Sequence, residues 1–555
     1  MKKTLLYKSN IIKCLGAFIA CLLFSLLISD HITLVVLAST TSKTEKQNSE
    51  TKLTNNDWIK QFLKSADQRK QSILSSSTTI VKGDEYIPGK TYTGDAYYVS
   101  LNGNDSNDGL TVETAWSTLK KVNEADLKPG DAVFFERGGI WREALQCLEG
   151  VTYSAYGTGN KPRIYGSPES GVGADKWILH HQGKHGEKIW KYYKDMPDCG
   201  LIVFNEDTKW ASKVSAWWDG TRYVTKNNHK KSFQITQALH NNLSFFNMID
   251  LSGYEAPINK YDIMTKGELY LRCDQGNPGD IFNQIEFLTS EVQGYAPQIG
   301  YDKKCVVDNL CVKYFAHGGI APRGNDSLHC GDGAVIQNCE VAFGGGCTHY
   351  YGKKGEVFFS GECINFEVSD GAVINNYLHD SYDGGIVMEL PGEKALNRTF
   401  EDNLMSGNLI ERCGSGVLIT DCWMDYSESK NKYVFSDIMV KDNYILNIGY
   451  GWSYHQEMAF YGNGDQKAVS MNFWTCENRN KGIYIKNNVF YLSRDILLES
   501  MINKTNPAKF SNNVFVQNKK GAFALWEGQP VMIDKGREFI LKLIGNQSGD
   551  LKIVK

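Results

Sequence analysis

Seven segments in the second half of the chain share one short pattern: an apolar residue, polar residues, Asn, then apolar residues and a Gly-containing turn. They are VVDNL (Asn309), VIQNC (Asn338), VINNY (Asn376), LMSGNL (Asn408), MVKDNY (Asn443), IKNNV (Asn488) and FSNNV (Asn513). Successive Asn residues lie 29, 38, 32, 35, 45 and 25 positions apart. A recurring unit of this length, with loops of variable size, signals a solenoid, in which each unit stacks on the next.

The units are β-rich. Ala334-Val335-Ile336, Ala372-Val373-Ile374, Gly482-Ile483-Tyr484-Ile485 and Asn513-Val514-Phe515-Val516 are short apolar runs punctuated by Gly, Asn, Asp and Ser. No long 3.6-residue periodicity joins them, so they predict strand–turn–strand coils rather than helices. One coil cannot bury its apolar face alone, and stacking makes a continuous core. Asn tolerates the left-handed backbone of tight bends, and its amide can also bond to the neighbouring coil. Most of these Asn residues are therefore read as structural. A leucine-rich horseshoe is excluded because LxxLxL is absent. A propeller is disfavoured because the units are irregular and hold too few strands. The reading is an all-β chain wound as a right-handed parallel β-helix.

The first forty residues read as a targeting segment. Lys2, Lys3, Lys8 and Lys13 precede an apolar stretch from Ile11 to Leu37, interrupted by Asp30 and His31. Val36-Leu37-Ala38 resembles a small-residue cleavage site. Residues 1–38 are thus a signal peptide or a retained membrane anchor, and the remainder is expected to be secreted, extracellular or held at the cell surface. A net charge of −3 over 555 residues carries no nucleic-acid footprint. The 14 cysteines show no CxxC metal spacing, and export would permit disulfides whose pairing spacing alone does not determine. A buried column of reduced thiols is the equal alternative.

Residues 39–56 are polar and read as a disordered linker. Asp57 can cap a helix carrying Trp58, Ile59, Phe62, Leu63, Ala66 and Ile73 at helical spacing. Residues 57–80 are therefore expected to cap the solenoid or to pack on its exterior. Next come Tyr97-Tyr98-Val99-Ser100-Leu101-Asn102-Gly103-Asn104-Asp105-Ser106-Asn107-Asp108-Gly109, then Ala115-Trp116-Ser117-Thr118-Leu119, then Pro129-Gly130-Asp131-Ala132-Val133-Phe134-Phe135. This series resembles the opening of secreted, pectate-lyase-like right-handed parallel β-helix proteins of carbohydrate-active families, and Tyr153 to Ile164 extends the likeness. The resemblance implies the fold, first coils over 95–166 and a carbohydrate substrate. It does not imply one reaction, since lyases and hydrolases share that opening. The Asn/Asp-rich loop 102–108 lacks EF-hand spacing and its terminal Glu, so no metal ligands are assigned.

Residues 167–295 break the coil texture. Trp177, Trp190, Trp210, Trp217 and Trp218 lie among hairpin-like runs, and Gly267-Glu268-Leu269-Tyr270-Leu271-Arg272 leads to Asn277-Pro278-Gly279. The stretch resembles the inserted β-sandwich of some β-helix glycosidases. The main solenoid is expected over 296–530 and a C-terminal cap over 531–555.

Alignment on the repeat Asn residues gives the candidate chemistry. Glu389 follows Asn376 by thirteen residues, and Asp421 follows Asn408 by thirteen. Stacked coils lie about 4.8 Å apart, so equivalent side chains become neighbours, although a one-residue slip would change the face. Glu389, Asp421 and Asp383, the last beside Gly384-Gly385, are the candidate catalytic carboxylates. His379, His317, His455, Trp423 and Trp452 are the candidate substrate-binding residues.

Paired carboxylates suit glycoside hydrolysis, with one kept protonated as the acid. Two alternatives stay open. One is a polysaccharide lyase or epimerase on uronic-acid polymers, using Ca2+ and a Lys or Arg base such as Lys353, Lys354, Arg412 or Lys441. The other is a non-catalytic surface protein that binds carbohydrate. No cofactor is expected outside the lyase case. The expected partner is a polysaccharide or cell-wall glycan, with no nucleic acid, membrane contact only through an uncleaved N-terminus, and a monomeric state.

Overall fold

The computed structural model describes residues 55–214, 216–218, 223–224, 233–251, 258–259, 265–289, 297–322, 331–351, 357–389, 399–420, 435–455, 467–474, 481–500, 508–519, 521–526, 529–533 and 550–554. The chain winds as a right-handed parallel β-helix with three long sheets. A representative coil contributes Ala372–Ile374 to the first sheet, Tyr377–Ser381 to the second and Gly384–Glu389 to the third. Each strand pairs in parallel with its equivalents one coil away: Val373 with Ile336 and Met405, Leu378 with Val341 and Ile410, Ile386 with Ile364 and Val417. Alternation then decides what is buried. Val373, Leu378, Ile386 and Met388 join one apolar core running from Val99 to Ile533, while the residues between them face out.

The corner between the first and second sheets explains the Asn repeat. Its first residue has a left-handed backbone in coil after coil: Asn309, Asn338, Asn375, Gly407, Asp442, Asn487 and Asn512, with φ between 54° and 70°. Asn, Asp and Gly are the residues that tolerate that conformation most readily. The next residue forms the ladder. The Asn376 amide donates to Asn408 Oδ1 at 3.0 Å and to the Ile336 carbonyl at 3.0 Å. Asn408, Asn443 and Asn488 repeat the pattern, ending on Asn513. All five are fully buried. Bending and bonding therefore fall on two consecutive residues, and the seven motifs are not in one register. Asn309 and Asn338 are corner residues, and Leu310 and Cys339 occupy their ladder positions.

A helix, Asn55–Ser75, lies along the outside of the second sheet rather than across an open end. Phe62, Ala66 and Ile73 pack on Tyr377, Leu409, Leu446, Val489, Tyr491 and Val516. Lys70 lies over Tyr377, whereas Phe62 touches Tyr491 three coils further on, so the helix runs parallel to the stacking direction.

The insertion leaves one coil between its second-sheet strand, Arg163–Tyr165, and its third-sheet strand, Ile299–Tyr301. Seven strands, ordered Trp177–Gln182, Lys188–Tyr192, Gly267–Arg272, Ser244–Ile249, Lys209–Lys213, Cys199–Phe204 and Ile285–Thr289, form a continuous sheet. All seven contribute to a single core or pack against it, around Trp177, Tyr192, Ala211, Phe245 and Phe287, so the sheet folds over on itself as a sandwich. Leu201, Val203 and Leu288 on its outer face pack on Tyr314, Phe343, Tyr382 and Trp452 of the solenoid. The nine described cysteines are all buried and none forms a disulfide.

Candidate active site

Beneath the insertion lies a buried polar network on the outer face of the second sheet. The turn Asn205-Glu206-Asp207 is left-handed at all three residues, which aims Asp207 at the solenoid. Asp207 takes bonds from Lys313 at 2.8 Å and from the Tyr314 hydroxyl at 2.7 Å. Lys313 also pairs with Glu340 at 2.8 Å, on the adjacent coil. His379, one coil further, reaches Glu340 through Nε2 at 3.3 Å and Asp380 through Nδ1 at 2.8 Å, and Arg412 grips Asp380 with two nitrogens at 2.8 and 3.0 Å. Burial alone would raise the Glu340 carboxyl, but Lys313 and His379 outweigh it and hold it well below the usual range. Burial opposes the Lys313 charge too, and Glu340, Cys311 and Asp207 overcome it. A connected network of ion pairs of this kind fastens the insertion to the coils.

This placement corrects two of the expected substrate contacts. His379 is 5% exposed, with both ring nitrogens engaged by carboxylates and its ring stacked on Tyr377 at 4.1 Å. Trp452 is fully buried, and its indole N–H donates to the Asp380 carbonyl at 2.6 Å. Both are packing and clamping residues, without a face for a sugar. His317 is also buried, in the corner after Cys311–Phe315. His455 ends the 3-10 turn Trp452–His455, and its side chain lies outside the described residues. Asp421 and Trp423 lie outside them entirely.

The three candidate acids do not converge. Asp383 immediately precedes the strand Gly384–Glu389 and Glu389 ends it. Six residue steps of extended chain separate them, about 20 Å. They sit at opposite ends of the strand, so Asp383 is not the partner of Glu389. The register also pairs Glu389 with Thr420 rather than with Asp421. The coil after Asn408 is one residue shorter: Tyr377 pairs with Leu409, a 32-residue offset, but Gly384 pairs with Ser415, a 31-residue offset.

The same register brings forward a carboxylate that Asn counting passes over. Ile364 pairs with Ile386 and Asn365 with Val387, and the Phe366 N–H donates to the Val387 carbonyl at 2.7 Å. Phe366 and Val368 enter the core, as Met388 does, so Glu367 lies on the outward side as Glu389 does. Continued two residues past its last pair, Asn365 with Val387, that register sets Glu367 opposite Glu389 on the adjacent coil. Thr420 and then Trp474 follow in the same row on the next two coils. The signal was present in the sequence as INFE beside IVME. It is hidden from an Asn-based alignment because the hairpin Cys347–Tyr351 and Val357–Ser360 lengthens the coil that carries Glu367.

Glu499 is a second outward carboxylate of the third sheet. Burial raises its carboxyl above the usual value, against a smaller opposing pull from Lys467. It sits in the row Val387, Leu418, Asn472, Glu499, three coils from the strand of Glu389 and so about 14 Å along the axis. That is too far to pair with Glu389 in one bond cleavage. Among the described residues, no cluster of three His, Cys, Asp or Glu forms a metal site.

No family model matches the chain. A lacto-N-biosidase of Bifidobacterium longum subsp. longum is 28% identical over 155 residues, covering 24% of this chain and 10% of that protein. The chain therefore spans about a tenth of the curated relative that it matches. Among solved structures, XylC in complex with xylose superposes with a TM-score of 0.40 at 12% identity, covering 77% of this chain and 66% of that one. The GH136 lacto-N-biosidase from Eubacterium ramulus gives 0.36 at 12% identity, covering 90% and 71%. A further structure described as a glycoside hydrolase gives 0.37 at 10% identity, covering 83% and 97%.

Proposed function

We propose that this protein is an exported carbohydrate-active enzyme, and within that class a glycoside hydrolase. The carrying observation is on the third sheet: Asn365 pairs with Val387, and the same alternation two residues on puts the carboxylate residues Glu367 and Glu389 on the outward side of adjacent coils, in a row that continues to Thr420 and Trp474. Glycoside hydrolysis uses two carboxyl groups across the scissile bond, one as acid and one as nucleophile or base. Side chains one coil apart allow the carboxyl separation of about 5–5.5 Å of the retaining mechanism, in which the second carboxylate attacks the anomeric carbon directly. Two like charges this close disfavour double ionisation, which keeps one group protonated for the leaving oxygen. Asp421, one residue beyond Thr420, is the reserve partner of Glu389. The local likeness to a lacto-N-biosidase supports a saccharide substrate and directs the choice of test compounds.

The test is product analysis with a panel of neutral oligosaccharides, including ones ending in lacto-N-biose, alongside polyuronates. New reducing ends, a first-formed anomer of retained configuration by NMR and no unsaturated-uronate absorbance are expected. Chelator-sensitive formation of unsaturated products would instead establish the lyase.

A further inference from the structure

The insertion carries a cavity of its own. It is about 490 Å3 in volume and lies between the end of Ser244–Ile249 and the start of Gly267–Arg272. Its lining is both aromatic and charged, with Tyr223 and Phe233 beside Asp195, Asp250, Lys266 and Glu268. The aromatic part is fixed by its neighbours. Phe246 meets Phe233 at 4.6 Å and Tyr223 at 5.2 Å, and the Tyr223 hydroxyl is committed to the Ile249 carbonyl at 2.9 Å. Phe233 remains partly exposed. The charged part is fixed by Gly267, which exchanges two backbone bonds of 2.8 Å with Met196 and so brings Asp195 beside Lys266 and Glu268. A Cβ at Gly267 would stand 1.9 Å from the Met248 carbonyl oxygen, so only glycine allows this approach. Lys191 and Tyr270 hold the Glu268 carboxylate in place.

We infer that this cavity is a second saccharide-binding site, selective for neutral sugar units. The volume falls within the range of about 300–1,000 Å3 that is usual for small-ligand sites. A ring face such as that of Phe233 offers a platform for the apolar face of a pyranose, and carboxylates accept paired hydroxyl donors. Among the described residues the lining holds three carboxylates and one ammonium, and with Lys191 on Glu268 a negative excess remains that disfavours uronates. The site lies in the insertion and its residues are separate from the Glu367–Glu389 row, so it would hold a remote part of a substrate or product chain rather than react with it. The inference rests on the saccharide reading above and narrows it to neutral sugars.

The full chain carrying Glu389→Gln, which holds substrate without turnover, is titrated calorimetrically with lactose, cellobiose and xylobiose and with digalacturonate. Phe233→Ala and Asp195→Asn are then added singly. Binding of at least one neutral disaccharide is expected, weakened about tenfold by Phe233→Ala at an unchanged unfolding midpoint. Ligand should also protect Phe233 and Met248 from hydroxyl-radical oxidation. Absence of neutral-sugar binding, equal binding of digalacturonate, or affinity and protection indifferent to both substitutions would each overturn the inference. Cleavage of neutral oligosaccharides alongside any of those results leaves the hydrolase standing. Protection at Phe233 without cleavage has the reverse meaning.

Discussion

Replacing Glu389 by Gln is expected to lower kcat by about a thousandfold while leaving KM within a few-fold, and Glu367→Gln should do the same. In the proposed reaction each substitution removes a group that acts only as the glycosidic bond breaks, so ground-state binding is largely spared. The double variant should be scarcely slower than either single variant, because the two carboxylates act as a unit. Asp383→Asn is the internal control. Its residue lies at the far edge of the same strand, about 20 Å away, and activity should persist. Steady-state rates with intact unfolding midpoints check all four variants. Full activity in Glu367→Gln would return Asp421 to the role of partner.

The largest effect on stability is expected inside the Asn ladder. Asn443 donates to the Met405 carbonyl at 2.9 Å and to Asn488 Oδ1 at 3.0 Å. Its own Oδ1 accepts from the Asn408 backbone at 2.9 Å and from the Asn408 amide at 3.0 Å. Asn443→Ala removes all four bonds at a fully buried position and strands their partners away from water. At about 1–3 kcal/mol for each orphaned group, relieved in part by rearrangement, the loss should reach about 3–5 kcal/mol. Asn443→Asp should be worse, because it sets a carboxylate against Asn488 Oδ1 and removes the donor. Urea titration followed by circular dichroism measures both. The midpoint should fall steeply, whereas Asn512→Ala, at an exposed corner, should cost far less.

The ladder also shows how far the sequence alone could be read. The stacked coils were legible because apolar alternation and Asn-rich corners recur whatever the loops do. The helix at Asp57 was legible from Phe62, Ala66 and Ile73 on one face, although nothing in its sequence distinguishes a lid over the end from a brace along the side. The insertion was legible as a break in texture over residues 167–295. The site was harder, for two physical reasons. The consecutive corner and ladder residues look alike in Asn375-Asn376 and Asn487-Asn488, so an alignment on Asn drifts by one, as it did for Asn309 and Asn338. Extra residues between sheets also differ from coil to coil. A count from the Asn therefore reached Asp421 where the strand places Thr420, and it could not find Glu367 across the hairpin ending at Ser360. His379 and Trp452 were attractive as polar and aromatic residues near the corners. His379 is buried by residues of neighbouring coils and Trp452 also by an insertion more than 150 residues upstream, beyond the reach of any local pattern.

The proposed active centre needs neighbouring windings to set Glu367 beside Glu389. Cysteines placed at the two positions report that spacing, since a short bifunctional thiol reagent joins only positions a few ångströms apart. Glu367→Cys with Glu389→Cys should cross-link rapidly and quantitatively within one chain, and Asp383→Cys with Glu389→Cys should not. Efficient linking of the second pair with failure of the first would contradict the register on which the active centre is built.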